Sequence, residues 1–113
     1  MKVIIAGKRD CYDYQSLIEA IGDSKFNISE VVSGGASGAD SLGERFAEEN
    51  GIPLKRFPAD WDKHGFSAGP IRNQAMSLYA DALIALWDGQ SKGTGNMVKL
   101  AKLRGLKIYI KPI

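Results

Sequence analysis

Short apolar runs rich in β-branched residues alternate with helical stripes along the whole chain, and this alternation most constrains what the chain can fold into. Val3-Ile4-Ile5-Ala6 is a continuous run closed by Gly7, which suits a strand buried on both faces. Further strands are predicted over Ile28 to Ser33, Ile52 to Phe57, Ala82 to Leu86 and Leu106 to Ile110. Between them, Tyr14, Leu17, Ile18 and Ile21 form one helical stripe, with Asp13 as N-cap and Gly22 as terminator. Ala39, Leu42, Gly43, Phe46 and Ala47 form a second, ending at Asn50-Gly51. A third stripe follows Pro70, placed at the first helical position, and a fourth holds Met97, Leu100 and Ala101. Pro58 to Gly69 is predicted to be irregular.

Right-handed crossovers between such strands give an α/β, Rossmann-like fold: one domain over residues 1–113 with a five-stranded, mostly parallel sheet and helices on both faces. In that fold every loop after a strand reaches the same rim. The rim gathers Gly7-Lys8-Arg9, Ser33 to Asp40, the segment around Asp60-Trp61-Asp62, and Trp87 to Gly95.

Composition narrows the function. Fifteen Lys and Arg against thirteen Asp and Glu leave a net charge of +2, too small for an electrostatic grip on nucleic acid or an anionic membrane. Nucleic acid and membrane are therefore not expected partners, and any anion must be held locally. One cysteine, Cys11, makes no internal disulfide and no multi-cysteine zinc site, and His64 is the only histidine. No metal or cofactor is expected. A charged start followed at once by strand residues does not read as a signal peptide, so a cytoplasmic location is expected.

The Ser33-Gly34-Gly35-Ala36-Ser37-Gly38-Ala39-Asp40 loop, between a strand and a helix, has the context of a phosphate cradle, where backbone N–H groups and the helix dipole favour an anion. It is neither G-x-G-x-x-G nor a Walker loop. A β-branched residue at Gly35 is expected to obstruct the approach of a phosphate. The Ser91 to Gly95 loop, with Gly93 and Thr94, also precedes a helix. Arg9 and Arg72 are placed to clamp a phosphate, and Asp40 and Glu44, one turn apart, to accept ribose hydroxyls. Trp61, Phe66 and Trp87 are rings near strand ends, with Trp61 read as a stacking face and Trp87 as core or dimer contact. Asp60, Asp62 and Asp88 are read as turn and capping residues before metal ligands.

Taken together, five segments resemble a known group: Gly7-Lys8-Arg9-Asp10, the Ser33 to Asp40 loop, Phe57-Pro58-Ala59-Asp60-Trp61, Gly69-Pro70-Ile71-Arg72-Asn73, and Trp87-Asp88-Gly89 through Gly93-Thr94. The chain looks like a YspA-type, YpsA-related member of the SLOG superfamily, which also holds the Lonely Guy phosphoribohydrolases and the DNA-processing protein A fold. The resemblance implies a Rossmann-like pocket for a nucleotide or nucleotide-derived molecule of the ADP-ribose type, and a bacterial or phage origin. Two departures stand out. Lys8 replaces the serine of the usual Gly-Ser-Arg, and Met97 stands where the phosphoribohydrolases carry a ribose-directed glutamate.

The expected function is thus non-catalytic binding of a nucleotide-derived small molecule by a sensor, carrier or sequestering protein, as a monomer or homo-oligomer. The expected ligand-binding set is Gly7, Lys8, Arg9, Ser33, Gly34, Gly35, Ser37, Gly38, Asp40, Glu44, Trp61, Arg72, Asn73, Asp88, Gly93 and Thr94. The alternatives are hydrolysis of nucleoside 5'-monophosphates with Glu44 as the catalytic carboxylate, and single-stranded nucleic-acid binding.

Overall fold

A computed structural model describes all residues, 1–113. Five strands, β1 (Lys2–Gly7), β2 (Glu30–Ser33), β3 (Leu54–Arg56), β4 (Ala82–Trp87) and β5 (Lys107–Pro112), form one sheet in the order β3-β2-β1-β4-β5. Every pairing is parallel, so the sheet is wholly and not mostly so. The helices are α1 (Tyr14–Ser24), α2 (Ala39–Glu49), a four-residue α3 (Trp61–His64), α4 (Ala68–Tyr79) and α5 (Lys92–Leu103).

Alternation along the central strands divides the core into two layers. Val3 and Ile5 of β1 and Ile84 and Leu86 of β4 face Leu17 and Ala20 of α1 and Leu42 and Ala47 of α2. Ile4, Ala6, Leu83 and Ala85 face the other way, onto Met76 of α4 and Met97, Val98 and Ala101 of α5. Central strands buried on both faces have no polar position to spare, which is why their sequences are unbroken apolar runs.

The chain moves outward from β1 through β2 to β3, then returns to lay β4 and β5 on the other side of β1. Strand order therefore reverses between β1 and β4. The loops after these two strands diverge to opposite faces there, leaving a crevice at their carboxyl ends.

Four local expectations change. α1 continues past Gly22 and ends at Lys25, whose left-handed φ of 59° lets its N–H reach the Gly22 carbonyl. Pro58 to Gly69 is not all irregular, because Asp60 caps α3 by accepting the Lys63 N–H at 3.1 Å, and a 3-10 turn (Gly65–Ser67) leads into α4. Pro70 is consequently the third residue of α4 and not the first, a position whose N–H also has no partner within the helix. Lys92 to Gly95, read as loop, forms the first turn of α5.

Candidate functional site

The crevice opens into a cleft of about 700 Å³, walled by the loops after β1 and β4, the start of α2, Trp61 and the first turns of α4. Its floor is the Gly7 end of β1. Gly38 lets the β2–α2 loop lie against the β1 loop: a Cβ there would collide with the Lys8 and Arg9 carbonyls, and its φ is +74°. The two loops are joined by the Ala39 N–H to the Lys8 carbonyl at 3.1 Å and the Ser37 hydroxyl to the Arg9 carbonyl at 3.2 Å.

The glycine loop is held from within. Ser33 Oγ, fully buried, accepts the Gly35 N–H at 3.0 Å and donates to Glu44 Oε2 at 2.8 Å. Glu44 Oε1 in turn accepts from Arg56 at 2.5 Å. Asp40, 6% exposed, accepts the Ala36 N–H on Oδ2 at 3.2 Å. Burial pushes its carboxyl up to about 6, against the opposing pull of the Ala36 N–H and the Arg72 guanidinium.

Arg72 projects from α4, donating through Nη1 to the Gly34 carbonyl at 2.6 Å and through Nε to Asn73 Oδ1 at 2.9 Å. Asn73 continues the chain of contacts across the cleft, its Nδ2 donating to the Gly93 carbonyl at 3.3 Å and to Asn96 Oδ1 at 3.0 Å. On the far wall Asp88 Oδ1 accepts the N–H groups of Gln90 and Ser91, which holds its carboxyl below the usual range. Lys8 Nζ bridges Asp88 and Asp10 at 3.5 and 3.6 Å.

Helix ends sharpen the electrostatics. Side chains cap α1 through Asp13 and α3 through Asp60, but none caps α2, α4 or α5; the first N–H of α2, that of Ala39, goes to the Lys8 carbonyl, while the start of α5 lines the cleft with Gly93 and Thr94. The first N–H groups of a helix have no partner within it and carry the positive end of its dipole. Uncapped donors beside Arg9 and Arg72 suit a ligand rich in acceptors.

Of the residues named from sequence, Gly7, Lys8, Arg9 and Asp40 line the cleft from the β1 and β2 side. Trp61, Arg72, Asn73, Asp88, Gly93 and Thr94 line it from the other. Gly34, Gly35 and Ser37 lie outside it, around a smaller compartment of about 280 Å³. Ser33, Gly38 and Glu44 line neither space. Ser33 and Gly38 are buried supports, and Glu44 points to β3 because Ser33 and Arg56 engage both its oxygens. Phe66 is fully exposed away from the cleft, while Trp87 packs on the core and donates to the Ser91 carbonyl. Asp10, Gln90 and Ser91 also line the cleft without having been singled out. The acceptor at Asp88, two and three residues before backbone donors, was the available sign that the loop turns Gln90 and Ser91 inward.

Sequence comparison decides the family. The profile of the YspA, cpYpsA-related SLOG family (YAcAr) matches residues 1–64. The chain belongs to this family. The match runs from β1 through α3, so the Lys8-Arg9 loop, the glycine loop and Trp61 lie within it, and Arg72, Asn73 and the start of α5 beyond it. Gene 61 protein of Mycobacterium phage D29 is 32% identical over 117 residues, covering 95% of this chain and 93% of that protein. A similar fold is seen in the X-ray structure of DNA processing protein A from Streptococcus pneumoniae, with a TM-score of 0.78 over 96% of this chain at 18% identity. The chain spans about half of that protein, 49% of its length. No helix is long and apolar enough to cross a membrane.

Proposed function

We propose that this SLOG protein binds a nucleotide-derived small molecule in the cleft and releases it unchanged, as a sensor, carrier or sequestering protein. The observation that carries this reading is the convergence of Arg9, Arg72 and the uncapped start of α5 on one cleft. Trp61, 49% exposed at its edge, offers a ring for stacking on a base.

Cleavage of an N-glycosidic bond calls for a carboxylate beside the ribose to stabilise developing positive charge and activate water. Met97, at the place of the phosphoribohydrolase glutamate, is 1% exposed within the core. Glu44 is engaged by Ser33 and Arg56 outside the cleft. Asp40 does face the cleft, so the test must include it. The small net charge disfavours nucleic acid, and the likeness to DNA processing protein A extends to the fold alone.

The experiment is calorimetry with AMP and ADP-ribose, paired with chromatography of the same mixtures for free base. Saturable binding with no base released is expected. Base release that stops in Asp40→Asn or Glu44→Gln would replace binding by hydrolysis, and no binding of either nucleotide would end the nucleotide reading.

A further inference from the structure

The 280 Å³ compartment and the main cleft share the side chains of Arg9, Trp61 and Arg72 but differ in charge. The main cleft contains three carboxylates, Asp10, Asp40 and Asp88. The small compartment, between the outer face of the glycine loop and Pro58-Ala59, contains none. Resting on the reading of a nucleotide-derived ligand, we propose that this small compartment is the phosphate subsite, with Arg9 and Arg72 as its clamp, and that Asp40 receives a ligand hydroxyl in the main cleft.

Two arginines face this compartment, and only Arg72 has a carboxylate near it, that of Asp40, which lies on the main-cleft side. Neither Arg9 nor Arg72 takes part in a salt bridge within 4.0 Å. Arg72 uses Nη1 and Nε on Gly34 and Asn73 and leaves Nη2 without a partner, while Arg9 holds its guanidinium 5.9 Å over the Trp61 ring. They are near enough that the charge of Arg9, after burial, helps to lower the affinity of Arg72 for its proton. Two guanidinium groups repelling each other across a polar pocket are relieved by an anion between them, and guanidinium geometry matches a phosphate in bidentate fashion. The Ser37 hydroxyl and the exposed Gly35 backbone stand on the same wall.

Asp40 explains why the phosphate does not take the inner face of the loop. Its carboxylate already occupies that position, accepting the Ala36 N–H, and would repel a second anion there. Its other oxygen, Oδ1, takes part in no hydrogen bond within the chain and, since no buried side-chain oxygen lacks a partner, keeps exposed surface on a residue that lines the cleft. An ionised acceptor 94% enclosed within its residue's surroundings selects a donor, and the donors of a ribose phosphate are its hydroxyls. The charged groups around Asp40 are Arg72 from α4 and Glu44 one turn along α2. The ligand is thereby oriented, sugar hydroxyls inward at Asp40 and phosphate outward between the arginines.

The test is a titration of uniformly 15N-labelled protein with AMP, adenosine and 2',3'-dideoxyadenosine monophosphate at pH 7.5, read by backbone amide shifts and dissociation constants. With AMP, the largest phosphate-dependent shifts are expected at Gly35, Ala36 and Ser37. Arg9→Gln is expected to weaken AMP about ten- to hundredfold and adenosine hardly at all, since a charge-assisted pair is lost. Asp40→Asn is expected to erase most of the preference for AMP over its dideoxy analogue. Arg9 makes no hydrogen bond through its side chain, so its replacement leaves the fold intact. AMP binding whose phosphate-dependent shifts lie at Lys92 to Gly95 and which ignores Arg9→Gln would overturn the subsite while sparing the proposed function. Failure of all three compounds to bind would overturn both.

Discussion

The Arg72 guanidinium donates to the carbonyl oxygen of Gly34 at 2.6 Å, across 38 residues of sequence, and so fastens the start of α4 to the glycine loop. A charged donor on a half-buried carbonyl contributes to stability as well as to binding, because loss of the donor leaves the carbonyl without a partner. Arg72→Ala is expected to weaken AMP about tenfold or more and to lower unfolding stability by about 1 to 2 kcal/mol. Calorimetry and urea denaturation on the same preparation separate these effects. An unchanged denaturation midpoint would show that the bond to Gly34 is energetically idle.

Gly34 and Gly35 are adjacent but respond to different constraints. A Cβ on Gly34 would strike the Arg72 guanidinium and lie 2.9 Å from Asp40 Oδ2, whereas one on Gly35 meets open space. Collision with the chain's own atoms therefore falls on Gly34, while a side chain on Gly35 projects into the space around the loop. Gly34→Ala is expected to displace Arg72 and weaken AMP severalfold. Gly35→Ala is expected to cost about 1 kcal/mol of stability, because its φ of +75° disfavours any side chain. Equal ligand affinity in the Gly34 variant and the parent would refute the first expectation.

Burial raises Asp40 to about 6, above the value of 3.8 for a free aspartate. The folded protein then binds the proton more tightly than the unfolded chain between these values. This contribution to stability is complete below about pH 4 and is lost as pH rises through about 6. Asp40→Asn, which keeps an acceptor for Ala36, is expected to be more stable than the parent at pH 7.5 by about 1 to 3 kcal/mol, and nearly equal to it at pH 4. Thermal unfolding of both proteins across that range checks the sign. A stability difference independent of pH would refute it.

Glu44 links β3 to the glycine loop through Arg56 on one side and Ser33 on the other. Glu44→Ala is expected to lower stability by about 1 to 2 kcal/mol, because the buried Ser33 hydroxyl loses its acceptor. Amide hydrogen exchange should then quicken at Gly35, whose N–H is held by that hydroxyl. Exchange at Gly35 that stays at the parent rate would mean that Ser33 does not depend on Glu44 for its orientation.

The sequence by itself determined the architecture. Val3 to Ala6 and Ala82 to Leu86 can satisfy both faces only as interior strands of a covered sheet, and the stripes on α1, α2, α4 and α5 supply the cover. Periodicity is a local property, so it is legible without coordinates. The rim was legible for the same reason, since loops after parallel strands gather at one edge. Helix ends were less so: the capping of α3 by Asp60 and the turn at Lys25 each depend on a few backbone angles that pattern does not record.

Only the tertiary structure decided which residues on the rim share a space. Asp40 and Glu44, one turn apart in sequence, part company because Ala36 holds the first at the cleft while Arg56 draws the second to β3. Arg72 joins a loop far from it in sequence, and Asp40 occupies the inner face of the loop that its glycines had suggested for phosphate. These outcomes depend on which donor lies within hydrogen-bond reach of each oxygen, a distance between segments remote in the chain, and residue spacing does not encode it.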